Sequence, residues 1–261
     1  MKIREPIPHG RYVFLSVVPF LLAIGLWSAL TYTGFIQPFF LPTPTSVVSG
    51  LYEVVKSGQI FGDIWVSTYR VVMGFLLSAV LALPIGLLVG CYQPFEAFTE
   101  PINNLIRYLP VVSFIPLCIL WIGIEDEEKI AIIFLGTFFQ LLVLVADAAR
   151  AVPQDLLNTA YTLGARQNHA ILKVVLPASL PQIYDGLRVS MGWAWSYLVV
   201  AEIVAANSGV GHFIIQSQRF LATANVIAGI LVIGVLGLIF DTFFKYTSIW
   251  FFPWNAKKTR T

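Results

Sequence analysis

Six apolar stretches, at about 12–32, 64–91, 101–122, 129–149, 186–206 and 224–244, dominate the sequence. A helix needs about 20 mostly apolar residues to cross the hydrocarbon core of a bilayer, and each stretch meets or exceeds that length. Lipid offers the backbone no water, so N–H and C=O groups must bond within the segment or in a closed barrel. Runs of this length predict an all-α fold: a polytopic bundle of six transmembrane helices forming a single domain over 1–261. Composition agrees, with 57% hydrophobic and 11% charged residues, where soluble domains carry about 25% charged. The first stretch lacks a small-residue cleavage site and reads as a retained span rather than a signal peptide. Pro110 and Pro116 predict a kinked or locally broken third span. Arg70 lies near the outer end of the second span, where it can snorkel. The fifth span is rich in Gly, Ala, Ser and Trp, and small residues let helices approach closely in lipid.

Between the first two spans, Thr43 can cap a helix that has Pro44 at its first position and Gly58 beyond its end. Val47, Val48, Leu51, Val54 and Val55 give that helix one apolar face, as expected of an amphipathic helix on the membrane surface. Cys91 and Cys118 sit near opposite ends of different spans, too far apart for the roughly 7 Å limit between bridged Cα atoms. Asp241 and Lys245 stand at the i, i+4 spacing that favours an ion pair.

The longest polar interval, about 150–185, lies between the fourth and fifth spans. Pro153 can open a short helix, on which Leu156, Leu157 and Ala160 recur at helical spacing. Gly164 can take the left-handed conformation that ends it. A second short helix is expected from about Arg166 to Val174, stopped by Pro177. Positive charge sets the side on which this loop lies. With the N-terminus inside, Lys2, Arg4, Arg11, Arg150, Arg166, Lys173, Arg188, Lys245, Lys257, Lys258 and Arg260 fall inside, and only Lys56, Lys129 and Arg219 fall outside. That bias places both termini and the Gly164 loop on the cytoplasmic side.

The loop spacing resembles the cytoplasmic signature of binding-protein-dependent ABC importer permeases: Glu-Ala-Ala, three residues, Gly, nine residues, then Ile-x-Leu-Pro. Ala160, Gly164, Leu176 and Pro177 fall on its places, with Val174 for Ile, Asn158 where the family often has Glu, and Thr159 for the first Ala. Leu41-Pro42-Thr43-Pro44, Trp121-Ile122-Gly123 and Ala201-Glu202 through Gly211 make the chain most similar to the nitrate, sulfonate, taurine and bicarbonate branch. The resemblance implies a coupling loop that docks on an ATPase and carries its motion to the membrane. Its residues here are Leu157, Asn158, Ala160, Tyr161, Gly164, Ala165, Leu176 and Pro177. It also implies the inner membrane of a prokaryote, a second permease copy, two ATP-binding subunits and an extracytoplasmic substrate-binding protein, with a small oxyanion or sulfonate as cargo. A permease for a thiamine-precursor-like solute has similar features.

No Gly-Lys pair occurs, so the phosphate-cradling loop of an ATPase is missing; the chain is expected to be a transport subunit, with ATP and Mg on the partner and no cofactor of its own. His9, His169 and His212 have no metal-ligand spacing, and no basic run with interleaved aromatics suggests nucleic acid. Glu202, within the fifth span, is the sharpest polar outlier. Intramembrane carboxylates face a bundle interior, a partner or water, so a structural hydrogen-bonding role, a gate or pathway role and interfacial exposure all stay open. Trp195 lies seven residues earlier on the same face. Asn207-Ser208-Gly209 through Gly211 reads as a tight outer turn with unusual angles at both glycines. Arg107 in the third span either lines the pathway or snorkels to phosphates. A gradient-driven secondary transporter is the main rival, though no inverted repeat is evident; clustered titratable groups for a membrane enzyme are lacking, and a purely structural scaffold leaves the polar loop unexplained.

Overall fold

The computed structural model describes residues 8–254; the charges at Lys2, Arg4, Lys257, Lys258 and Arg260 lie outside them. Helices follow one another without any strand among the described residues: α1 (His9–Tyr32), α2 (Pro44–Ser57), α3 (Gln59–Cys91), α4 (Gln93–Tyr108), a 3₁₀ turn (Val111–Phe114), α5 (Ile115–Ile122), α6 (Asp126–Arg150), α7 (Gln154–Thr162), α8 (Gln167–Ala170), a π turn (Ile171–Val175), α9 (Leu176–Ala205), α10 (Val210–Arg219) and α11 (Thr223–Phe251). Four of these, α1, α3, α6 and α11, are each long and apolar enough to cross a membrane alone. Six spans are reached only by counting two bent pairs: α4 with α5, bent by 89°, and the α8–α9 path with α10, bent by 47°.

The third stretch is thus turned at a right angle, and the sequence says why. Pro110 has no N–H to continue the helix, and it forces the residue before it out of the helical region. Leu109 accordingly has φ −73° and ψ 135°. Pro116 does no such damage, because it lies in the first turn of α5, where its missing N–H would be unpaired anyway. Pro177 departs from expectation for the same reason. It sits at the start of α9 rather than ending a helix, and the five-residue π turn before it takes up the hydrogen-bond mismatch. The chain therefore runs helically from Gln167 to Ala205.

The centre of the bundle is α3 packed on α6, with α9 against both. Small residues recur on α3 every fourth position, at Gly74, Ser78, Ala82, Gly86 and Gly90, which puts them on one face. A Cβ on Gly74 would lie 2.7 Å from Ile133 Cβ, one on Gly86 2.7 Å from Val145 Cβ, and one on Gly90 2.6 Å from the Ala146 carbonyl. The stripe lets the two backbones close up, which is how helices gain dispersion energy in lipid. Ser78 and Thr137 then share a buried hydrogen bond of 2.5 Å across the contact. Gly86→Val should lower stability by about 1–3 kcal/mol through overpacking, while Gly192→Val, at an open site, should change it little. Thermal unfolding of the purified protein in detergent measures both, and equal effects would refute the stripe's role.

The surface helix α2 forms as its signals predict: Ser46 N–H donates to Thr43 Oγ1 at 3.3 Å, and Gly58 has φ 75°. Its buried side is narrower than expected, however. Val47 is buried, whereas Val48 and Val55 are exposed, because α11 and α3 cover only one edge of the helix. α1 touches the rest mainly through α2, and Trp27 Nε1 donates to the carbonyl of Pro42, just before that helix, at 3.0 Å. Asp241 is paired with Arg188 of α9 at 2.5 and 2.8 Å, not with Lys245; a guanidinium from a facing helix offers two parallel donors that a lysine cannot.

Candidate functional site

At the end of the bundle opposite the Gly164 loop, Arg70 is 3% exposed and Glu202 is 0% exposed. Arg70 Nη1 donates to Glu202 Oε1 at 2.7 Å and to the Ser208 carbonyl at 2.8 Å; its Nε donates to Asp126 Oδ1 at 2.8 Å. Glu202 also accepts from Ser67 Oγ at 2.8 Å and from the Gly211 N–H at 2.8 Å. Ser67 Oγ accepts in turn from Val210 N–H at 2.9 Å, so its single proton is free to serve the carboxylate. Asp63 accepts from Gly209 N–H at 2.8 Å. One buried ionic cluster thus ties α3, α6, α9 and the loop into α10. Arg70 does not snorkel: four acceptor atoms, on Glu202, Asp126 and Ser208, hold it inside. Gly209 has φ 106°, as its turn requires, but Gly211 is helical and matters for space. A Cβ there would come 2.6 Å from Glu202 Cβ.

The charge counted outside at Lys129 is also internal, at 0% exposure. Its Nζ donates to the carbonyls of Ile124, Glu125 and Ala205, the last at 2.7 Å. It closes the C-terminus of α9, where free carbonyls and the helix dipole favour a cation. Arg70, Lys129, Asp126 and Ser67 were not among the sequence candidates. The available signal was Ser67 and Arg70, one turn apart on the same face of α3.

The other pathway or gate candidates fall apart in space. Ser208 joins the cluster, donating nothing but accepting from Arg70 Nη2 at 3.1 Å. Asn207 is exposed outside it. Trp195 is 3% exposed and packs in an apolar core with Phe75, Leu198 and Phe244. Arg107 sits in the last turn of α4 and lines two cavities. One of about 240 Å³ is bounded by α4 and the loop-side half of α6, including Asn103, Asp147 and Arg150. The other, about 340 Å³, lies at the right-angle elbow beside Gln140 and Tyr197.

The loop itself projects α7 and a left-handed Gly164, φ 83°. Gly164 N–H reaches the Tyr161 carbonyl at 2.9 Å and Ala165 N–H the Ala160 carbonyl at 3.0 Å, closing the C-terminus of α7. Asn158, Tyr161 and Gly164 are exposed, and Ala160 and Ala165 are half-buried. Leu157 and Tyr161 line a third cavity of about 380 Å³ between the loop and the ends of α3 and α6. Leu176 is half-buried and Pro177 exposed at the foot of α9.

Residues 82–248 match the family described as binding-protein-dependent transport system inner membrane component. The chain belongs to that family. Its relatives give the branch. The permease is 38% identical over 222 residues to the putative aliphatic sulfonates transport permease protein SsuC of Bacillus subtilis, covering 85% of this chain and 80% of that one. It is 29% identical over 255 residues to the taurine transport system permease protein TauC of Escherichia coli, covering 96% and 93%. It is 27% identical over 250 residues to the bicarbonate transport system permease protein CmpB of Synechococcus elongatus, covering 91% and 89%. Among solved structures, the inward-facing MetNI methionine ABC transporter shares the fold, with a TM-score of 0.66 at 18% identity over 74% of this permease and 96% of that chain. The permease is therefore a multi-pass membrane protein with a transport role, similar to the permeases of sulfonate, taurine and bicarbonate ABC transporters.

Proposed function

We propose that the permease passes a small sulfonate or related oxyanion across the inner membrane, driven by ATP bound to separate partner subunits. It would work as two copies, with two ATP-binding subunits on the Gly164 loops and a binding protein at the opposite end. Both termini would be cytoplasmic. The observation that carries this reading is the loop itself. Leu163 is 82% exposed beside Gly164, with Leu156 and Tyr161 exposed on the same short helix. Large apolar side chains on a projecting polar loop suit a protein partner better than water.

The experiment is uptake with ATP hydrolysis measured in parallel. Gly164→Val puts a β-branched side chain at a positive φ, which costs about 1–2 kcal/mol for an ordinary residue. The permease should still insert, since no Cβ clash arises at Gly164. Substrate-stimulated hydrolysis should persist with little uptake, or docking should weaken. Normal coupling in this variant would overturn the loop's role.

A further inference from the structure

Two unmet polar groups lie one turn apart in the cavity between α4 and α6. Asn103 is 5% exposed and lines that cavity, yet its Oδ1 has no hydrogen-bond partner. Arg107 follows at i+4 on the same face and lines the cavity too. Its Nε has no partner, and its Nη2 makes two long contacts, 3.4 Å to Asn104 Oδ1 and 3.3 Å to the Tyr108 hydroxyl. The neighbouring charges are already met. Arg150 pairs with Glu96 at 2.8 Å and with Asp147 at 3.0 Å, and Glu100 is exposed to water. Buried polar atoms left open this way are uncommon and costly.

The helix that carries them is turned inside out. Phe98, Ile102 and Leu105 are exposed, on the side of α4 opposite Asn103 and Arg107. A helix with its apolar side outward and its polar side against a neighbour suits lipid surroundings. The N-terminus of α4 lies at the loop end of the bundle, where Glu96 meets Arg150 at the end of α6. Side chains on helices point toward the N-terminus. The Arg107 guanidinium therefore leans out of the hydrocarbon toward the headgroup level, as a snorkelling side chain does. Its contact with Asn104, three residues back, is in keeping with that lean.

A guanidinium with a free Nε offers two parallel donors, which match the two free oxygens of a phosphodiester. A buried carboxamide oxygen asks for a donor, and it stands four residues away, about 6 Å of rise. Phosphatidylethanolamine and phosphatidylglycerol supply both: an anion and, at the end of the headgroup, an ammonium or a hydroxyl. Choline has no N–H or O–H to give. The cavity, about 240 Å³, has room for a headgroup, while acyl chains have the apolar outer side of α4 to lie along. We propose that this cavity is a binding site for one phospholipid from the leaflet on the side of the Gly164 loop. Its phosphate sits on Arg107 and the terminal donor of its headgroup on Asn103. The site is independent of the solute that is carried.

The full-length permease is purified in detergent, stripped of lipid and titrated with phosphatidylethanolamine, phosphatidylglycerol or phosphatidylcholine of identical acyl chains. Native mass spectrometry counts the bound lipid. Wild type should bind the first two about fivefold to tenfold more tightly than phosphatidylcholine, the size of one added hydrogen bond. Asn103→Leu should erase that preference. It should not lower the thermal unfolding temperature of the lipid-free protein, because it removes an unpaired buried atom rather than a bond. Arg107→Gln should weaken all three lipids by about tenfold, the loss of a charge-assisted bond, and Arg107→Lys should recover part of that loss. Equal binding of all three lipids by wild type, or a preference that survives Asn103→Leu, would overturn the proposal. Displacement of the lipid by inorganic phosphate at the same concentration would overturn it too, since the cavity would then be a site for a free oxyanion.

Discussion

Arg70→Met should lower the stability of the permease by about 3–5 kcal/mol, the cost of leaving a buried charge without its partner. Two carboxylates, Glu202 and Asp126, would lose the one cation they share. Glu202→Gln should cost less. Its amide oxygen can still accept from Gly211 N–H, and Arg70 keeps Asp126 and the Ser208 carbonyl. The double variant Arg70→Met, Glu202→Leu should be more stable than the sum of the single losses, because groups in one network do not act independently. Denaturation of the full-length protein in detergent decides it. Strict additivity would mean that the cluster is not a unit.

Lys129→Ala should be nearly as damaging, again about 3–5 kcal/mol. It would strand the carbonyls of Ile124, Glu125 and Ala205 together with Glu128. Glu128→Gln should behave quite differently. Glu128 Oε2 lies 3.1 Å from Lys129 Nζ, close enough for attraction, yet neither carboxylate oxygen finds hydrogen-bond geometry. Neutralising it removes a poorly solvated charge while Lys129 keeps its three carbonyls. The pair of variants should therefore differ in the same unfolding measurement, and a stable Lys129→Ala would sink this account.

Features that depend on local backbone chemistry were readable from the chain alone. Thr43 and Gly58 bound α2, Gly164 takes a positive φ, and Pro110 breaks the third stretch, because each constraint acts within a few residues. Misreadings arose where the answer depended on contacts distant in sequence. Arg70 looks like a snorkelling side chain until Glu202, 132 residues away, is placed beside it. Lys129 looks like a loop charge until the end of α9 arrives over it. Asp241 had a plausible local partner in Lys245, but Arg188 faces it from another helix. Pro177 reads as a stop because a π turn just before it has no sequence signature comparable to a cap. The all-α fold and the exposed loop were plain from hydropathy and spacing. The cavity beside Arg107 was not, since its second wall comes from α6.

The helical run from Gln167 to Ala205 has mechanical meaning. It is about 57 Å long at 1.5 Å per residue, a single shaft with the loop at one end. Near the other end Glu202 is gripped by Ser67, Arg70 and Gly211, which fixes that end to α3 and to the start of α10. The end of α9 that carries Glu202 is therefore its anchored end, and Gln167 lies at the end away from the ionic cluster. The π turn at Ile171–Val175 and Pro181 inside α9 both interrupt the regular backbone ladder of the shaft near the loop. If load enters at the loop, those two irregular points are expected to bend before the anchored end moves.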